Sequence, residues 1–340
     1  MESKTLVLFR ERLIGWFSQN ARVLPWREEP SLYKTVVSEF MLQQTQVKTV
    51  IPFFNRWLER FPNFETLADG DVREVIKLWE GLGYYSRAKN LQFFAQRFIK
   101  APAKSFSDLL KFKGVGNYTA AAIASITFNE KVAVVDGNVI RVLARIFNIQ
   151  TVFSGKDGAV KSITPLANEL IDPRYPGKFN ESVMELGALI CTKNNPKCLA
   201  CPLKDLCEAF KQGGVDKCPQ FVQVERKKCL KKRLWLINND SLLLEPSRVG
   251  GKDTLWELPE LTPEREPYLN LKSLIFTGRR SIGVTTFTEE IHAVSLINDE
   301  GTLLKHFEQC VYFTLNDVQK ISLSGPHKRW IHSILNSRVS

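Results

Sequence analysis

No stretch of the chain approaches the roughly 20 consecutive apolar residues that a membrane-crossing helix needs. The opening segment, Met1 to Phe17, sets Glu2, Arg10, Glu11 and Arg12 among its apolar residues, so it has neither the unbroken apolar run of a signal peptide nor the acid-free pattern of a transit peptide. Internal repeats and low-complexity tracts are absent, and with them the solenoid and compositionally biased readings. Acidic residues are in deficit, 36 against 47 Lys and Arg, leaving a net charge of +11. That excess favours a polyanionic partner without choosing between nucleic acid, an anionic membrane surface and plain solubility. Seven cysteines do not pair off evenly, and four of them crowd into residues 191 to 207. In a reducing compartment such crowding suggests a metal site before disulfides. A soluble, intracellular protein is expected.

What is present is enough for two cores. At 340 residues with 44% hydrophobic content, two domains are the expectation. Apolar residues recur at helical spacing over 6–20, and Leu24-Pro25-Trp26-Arg27 with Pro30 ends that helix. The same periodicity runs from Thr35 to Arg60, where Pro52 is expected to separate two helices. Further helices are expected near 71–79, 87–99, 106–111, 118–127 and 137–147. Little of this half alternates, so residues 1 to about 210 read as all-α. After Cys207, Gly213-Gly214 and Pro219 lead into the basic run Arg226 to Arg233, read as a solvated linker that can also touch a phosphate backbone. Beyond it, Leu234–Ile237 and Ser241–Leu244 flank Asn238-Asn239-Asp240 as a hairpin. Strand-like runs at 273–277, 284–288, 291–297 and 310–314, with a closing helix at 325–335, describe a smaller α+β domain.

Four features carry chemistry. Gly114-Val115-Gly116-Asn117-Tyr118-Thr119 is a glycine turn ahead of a small-residue helix. Such a turn lets backbone N–H groups approach a phosphate, although most such turns merely connect helices. Asp136-Gly137-Asn138-Val139 follows the apolar run Val132–Val135; Asp136 either caps the next helix or faces a cleft and stabilises developing positive charge. Glu39, within Ser38-Glu39-Phe40-Met41-Leu42-Gln43-Gln44-Thr45-Gln46-Val47, is either a surface acid or a buried one whose pKa burial raises toward that of a general acid. Finally, Cys191, Cys198, Cys201 and Cys207 are spaced C-x6-C-x2-C-x5-C, suited to a tetrahedral zinc or a [4Fe–4S] cluster.

Together these strings resemble the helix-hairpin-helix DNA glycosylases, which include endonuclease III and the adenine-specific MutY enzymes. The resemblance runs along nearly the whole chain. It implies an all-α helix-hairpin-helix glycosylase domain with an iron–sulfur cluster loop, followed by a smaller α+β MutT-like (Nudix) domain. The expected limits are 1–210, a basic linker 211–232, and 233–340. In lyase-active relatives a lysine stands two residues after the second glycine and attacks the sugar C1′ to form a Schiff base. Here that position is Tyr118, as in the MutY branch, and a phenol forms no imine. Phe112-Lys113 replaces the usual Leu-Pro before the turn.

By the same resemblance Glu39 protonates adenine N7, Asp136 and Tyr118 stabilise the oxocarbenium-like sugar, and Asn138 holds Asp136. Gln44 is the wedge entering the duplex as adenine leaves the stack, and Leu42 shapes the site. Trp26 and Arg27 line the adenine pocket, with Glu181 and Met184 nearby. Gly114 and Gly116 contact the backbone, and Tyr84, in Leu78-Trp79-Glu80-Gly81-Leu82-Gly83-Tyr84-Tyr85-Ser86-Arg87-Ala88, stacks beside the oxidised guanine. The family's cysteine spacing holds a [4Fe–4S] cluster, which turns the cysteine reading toward iron. Leu255-Trp256-Glu257-Leu258-Pro259 resembles MutT-like folds, but Pro263-Glu264-Arg265-Glu266-Pro267 lacks the glutamate-bearing helix that binds Mg²⁺, so no nucleotide hydrolysis is expected. Phe287-Thr288-Glu289 stands where the family carries Phe-Ser-His, assigning Phe287 and Thr288 to recognition of 8-oxoguanine. The expected function is monofunctional excision of adenine paired with 8-oxoguanine or guanine in duplex DNA, by a monomer acting in the cytoplasm on the nucleoid with no membrane partner. The alternatives are a glycosylase/lyase on oxidised pyrimidines and a non-catalytic iron–sulfur damage sensor.

Overall fold

A computed structural model describes residues 3–223, 225–247, 255–297 and 306–337. The chain divides into two units, one comprising Met1–Gly70 with Asn90–Gln223, the other Asp71–Lys89 with Val224–Ser340. Among the described residues no helix is long and apolar enough to cross a membrane.

The first unit is helical. It begins with α1 (Ser3–Asn20), α2 (Pro25–Glu28), α3 (Leu32–Leu42), α4 (Val47–Arg60) and α5 (Phe64–Ala68). Next in the chain, α6 (Val72–Trp79) belongs to the second unit, and α7 (Ser86–Lys100) starts there and continues into the first. The first unit then carries α8 (Phe106–Leu109), α9 (Asn117–Thr127), α10 (Gly137–Ile146), α11 (Lys156–Leu170), α12 (Pro176–Leu189) and α13 (Glu208–Lys211). Its core joins Phe9 and Leu13 of α1 to Val139, Ile140 and Leu143 of α10, Ile163 of α11, and Phe179, Val183 and Leu186 of α12. These residues recur at three- and four-residue steps, which puts each set on one face of its helix. Polar caps fix the starts: Ser31 accepts the Lys34 amide ahead of α3, and Asn63 and Thr66 form a reciprocal capping box ahead of α5. A two-residue strand β1 (Val152–Phe153) pairs in parallel with β2 (Gln220–Phe221).

Pro52 does not divide the 35–60 stretch. It lies inside α4, and the break falls instead at residues 43–46, where Gln44 takes a left-handed φ of 58°. With no amide proton, Pro52 leaves the Lys48 carbonyl without its intrahelical donor, yet α4 continues through it to Arg60.

In the second unit β3 (Lys227–Trp235) is followed by β4 (Ile237–Asn238), β5 (Ser241–Pro246), β6 (Trp256–Glu257), β7 (Leu269–Ile282), β8 (Thr285–Leu296) and β9 (Val311–Thr314), then α14 (Leu315–Val318) and α15 (Gly325–Ser337). One sheet runs β3-β8-β7, with β3 parallel and β7 antiparallel to β8. The other runs β4-β5-β6, with β9 also on β5. The expected hairpin is present: β4 and β5 pair antiparallel, and Asn239 and Asp240 supply the positive φ angles of the turn. Trp330 of α15 packs so closely on β7 that a Cβ at Gly278 would strike its indole.

The connector expected over 211–232 is corrected here. From Lys227 the basic run is a nine-residue strand in register with Thr285–Ala293. Its outer half is exposed on both faces, so no apolar alternation marks it. Only Arg233, Leu234 and Trp235 enter the core. The Arg233 guanidinium is buried and meets Glu289 at 2.7 Å, Glu245 at 3.3 Å and Glu257 at 3.4 Å, as a desolvated charge requires.

Candidate active site

A cavity of about 690 Å³ opens in the helical unit, walled by α2, α3, α9, α12 and the start of α10. Glu39 reaches it from α3, in which Val36, Val37 and Phe40 are buried around it in sequence. The Glu39 carboxyl is 6% exposed, and its Oε2 has no hydrogen-bond partner among the described residues. Burial pushes its pKa up to about 8; the charges of Glu181 and Asp136 push the same way, while Tyr118 and Arg27 oppose them. A carboxyl in that state carries a proton at neutral pH and can donate it.

Asp136 faces the same cavity. It is also the N-cap of α10: Oδ1 accepts the Val139 amide at 2.7 Å and Oδ2 accepts the Asn138 side-chain amide at 3.0 Å. Burial raises its pKa and these hydrogen bonds oppose the rise. Tyr118, in the first turn of α9, directs its hydroxyl toward Met184 Sδ at 3.7 Å. Its phenol is held well above the ordinary range by burial and by the neighbouring Glu39 and Asp136, so it stays neutral. Trp26 is buried edge-on against Phe54. Arg27 donates from Nε to Glu181 at 2.7 Å and lies over the Phe17 ring. Glu181 and Met184 enter from α12, and Leu42 from the end of α3.

The thiols of Cys191, Cys198, Cys201 and Cys207 line one small cavity between α10 and the loop that follows α12. None is in a disulfide, and no three acidic, histidine or cysteine side chains among the described residues are grouped as for a single ion. Four thiols lining one cavity supply the donor set that a four-cysteine cluster or a tetrahedral metal takes. Burial pushes the Cys201 thiol up to about 12, so a bound cation would have to displace its proton.

Residues 37–162 match the family described as HhH-GPD superfamily base excision DNA repair protein. The chain is 44% identical over 225 residues to an adenine DNA glycosylase of Rattus norvegicus, covering 61% of this chain and 42% of that protein. To an adenine DNA glycosylase of Buchnera aphidicola (subsp. Baizongia pistaciae) it is 31% identical over 349 residues, 97% of each chain. This chain belongs to the adenine DNA glycosylase family. Its match to the rat relative spans less than half of that protein's length. Among solved structures, a thermostable thymine-DNA glycosylase is similar at a TM-score of 0.54 with 25% identity, over 62% of this chain and 98% of that one. An endonuclease III bound to DNA aligns at 0.52 with 18% identity, over 63% and 98%, a likeness of fold.

In this member of the adenine DNA glycosylase family, the two glycines of the hairpin have different reasons. Gly114 has φ +83°, and a Cβ there would meet Asn90 at 2.6 Å. Gly116 has φ −96° and open space where a Cβ would stand, leaving its amide approachable. Gln44 is exposed at the α3–α4 turn, outside the cavity lining, and the adjacent Gln43 amide reaches Thr119 Oγ1 at 3.1 Å and the Gly114 carbonyl at 3.4 Å. Tyr84 lies in the second unit, 55% exposed and at φ +48°. Phe287 and Thr288 lie mid-strand in β8, half-buried, with the Lys231 ammonium 5.7 Å from the Phe287 ring. Glu289, in the position of the family's histidine, is fully buried and ion-paired with Arg233 and Arg280.

Sequence reasoning missed four charged residues. Arg145 is buried, touching Cys191 Sγ at 3.4 Å and holding the Thr192 and Lys193 carbonyls. Arg141 bonds Asn138 Oδ1, the Gly187 carbonyl and the Cys191 carbonyl. Arg22 and Glu185 pair beside the cavity. The only local signal for the first two was their spacing, i and i+4 along an otherwise apolar helix.

Proposed function

We propose that this chain is a monofunctional glycosylase that removes adenine paired with 8-oxoguanine, or with guanine, from duplex DNA. The observation that carries the reading is one buried carboxyl, Glu39, whose pKa burial pushes up to about 8, sharing a cavity of about 690 Å³ with a second carboxylate, Asp136, and a phenol where a lyase needs an amine. The adenine must leave the stack to be reached. Glu39 donates its proton to N7, making the base a better leaving group. The bond between sugar C1′ and N9 then breaks with both electrons going to the base. Asp136, held by Asn138 and the Val139 amide, stabilises the cationic sugar together with the Tyr118 hydroxyl. Water adds at C1′ and loses a proton, leaving an abasic site. Trp26, Arg27, Leu42, Glu181 and Met184 hold the base.

The chain's positive excess supports phosphate contacts at the hairpin around Gly114 and Gly116; Gln44 fills the gap left by the extruded base, and Tyr84 stacks next to the oxidised guanine. The four cysteines hold a [4Fe–4S] cluster that fixes the 191–207 loop. Helical residues 1–210 carry the chemistry, and the α+β region reads the opposite base through Phe287 and Thr288. The protein works as a monomer on the DNA of the bacterial cytoplasm. The test is incubation with duplexes carrying A opposite 8-oxoguanine, guanine or cytosine, followed by alkali: strand breaks at the first two support the reading, and no break at any of them refutes it. Efficient borohydride trapping of a covalent protein–DNA complex would instead support the lyase.

A further inference from the structure

Glu185 has no part in the chemistry above, yet it lines the same cavity one helical turn beyond Glu181. Its carboxylate is 2% exposed and engages four donors. Oε1 accepts the Arg22 backbone amide at 2.9 Å and Arg22 Nε at 2.7 Å; Oε2 accepts Arg22 Nη2 at 2.9 Å and Arg27 Nη2 at 3.3 Å. Burial alone would raise its pKa, but the Arg22 hydrogen bonds and the Arg27 charge hold it down at about 2. It is therefore a fixed negative charge, in contrast to Glu39.

Two consequences follow from those contacts. Arg22 immediately precedes Val23, Leu24 and α2, so tying its backbone amide and its guanidinium to α12 fixes where the wall bearing Trp26 stands. Arg27 is divided between two acids, with Nε on Glu181 and Nη2 on Glu185. The groups facing Glu39 are Glu181 from α12, Tyr118 from α9, Asp136 ahead of α10 and Arg27 from α2, and Arg27 is the one cation among them. An Arg27 released from Glu185 keeps its bonds to Glu181 and the Arg22 carbonyl, and its freed Nη2 can turn toward Glu39. Moved toward Glu39, it would favour the carboxylate and strip the acid of its proton.

We propose that Glu185 is a positioning residue for base excision: it clamps Arg22 and Arg27, fixing the α2 wall of the cavity and holding the Arg27 cation away from Glu39. This rests on the glycosylase reading. The experiment is single-turnover adenine release from an A·8-oxoguanine duplex, followed across pH, by the full chain, by Glu185→Gln and by Arg22→Gln. Glu185→Gln is expected to bind the duplex within about threefold of the parent, to excise about 10- to 100-fold more slowly, and to lose activity at a lower pH. Arg22→Gln, which keeps the Arg27 contact and the backbone amide bond to Glu185 but removes the two guanidinium bonds, loosens the wall and is expected to slow excision without moving the pH limb. An unchanged rate and pH limb in Glu185→Gln overturns the clamp even if the protein melts earlier, because a purely structural pair would move only the melting temperature. Should Glu185→Gln fail to fold, Arg22→Gln decides: slowed excision supports the clamp and a parental rate overturns it. No adenine release by the parent chain overturns the glycosylase reading itself, and the clamp with it.

Discussion

Glu39 and Asp136 face one cavity from different helices, and the Asp136 charge helps keep the Glu39 carboxyl protonated. Each residue alone has an ordinary explanation, a helix acid and an N-cap. Lining one cavity, they are the acid and the cation stabiliser of the proposed reaction.

The first prediction concerns pH. Glu39 works as an acid only while protonated, so excision should fall as pH rises through about 8. The same shift has a stability consequence. Between its ordinary value of 4.5 and about 8, the folded protein holds a proton that the unfolded chain has released, so this site's contribution to stability declines as pH rises across that window. Glu39→Gln should flatten that decline and stabilise the fold at pH 8 by about 1–3 kcal/mol, measurable by urea unfolding at pH 5 and pH 8. Equal slopes for both proteins would count against a buried, protonated Glu39.

Asp136 separates its two roles by substitution. Asn caps helices about as well as Asp, so Asp136→Asn should unfold within about 0.5 kcal/mol of the parent, whereas Asp136→Ala should lose about 1 kcal/mol. Both should slow excision by about 10²-fold or more. A rapid Asp136→Asn enzyme would assign the residue to capping alone.

Tyr118→Lys places an amine beside the reacting sugar. Borohydride should then trap a covalent complex that the parent does not form. The lysine will be partly disfavoured by burial, so trapping should grow with rising pH as its amine deprotonates. No complex at any pH would mean that C1′ lies out of reach of position 118.

For the cysteines, the expectation is iron and inorganic sulfide in the purified protein, with broad visible absorption. Cys198→Ser should reduce both. Arg145→Leu should remove the donors to the Thr192 and Lys193 carbonyls and destabilise the protein by about 1–3 kcal/mol. Zinc in place of iron would refute the cluster.

Gln44 sits at φ 58°, where an L side chain is strained and glycine is not. Gln44→Gly should therefore stabilise the free protein by up to about 1 kcal/mol while slowing excision, read as a higher melting temperature with a lower single-turnover rate. A variant as fast as the parent would show that no wedge is needed at this position.

Legibility in the sequence followed how local each pattern was. The helices around Glu39, Tyr118 and Asp136 announced themselves by apolar periodicity and caps, and the cysteines by spacing. The basic strand from Lys227 escaped because its outer half is exposed on both faces, and the α3–α4 break was misassigned because Pro52 was weighed above the left-handed turn at Gln44. Glu185 and Arg22 were invisible for a different reason. They stand 163 positions apart, and nothing in either neighbourhood signals that a carboxylate on one helix will clamp the segment before another. Glu289 is a further case: its local sequence gives no sign of burial, and only the fold ties it to Arg233 and Arg280 in a buried ion cluster.

The most direct test of the account is adenine release under single-turnover conditions from an A·8-oxoguanine duplex at pH 7, comparing the parent chain with Glu39→Gln. The account predicts that the variant still binds the duplex and releases adenine at least about 10²-fold more slowly. Release by Glu39→Gln at the parental rate would contradict it.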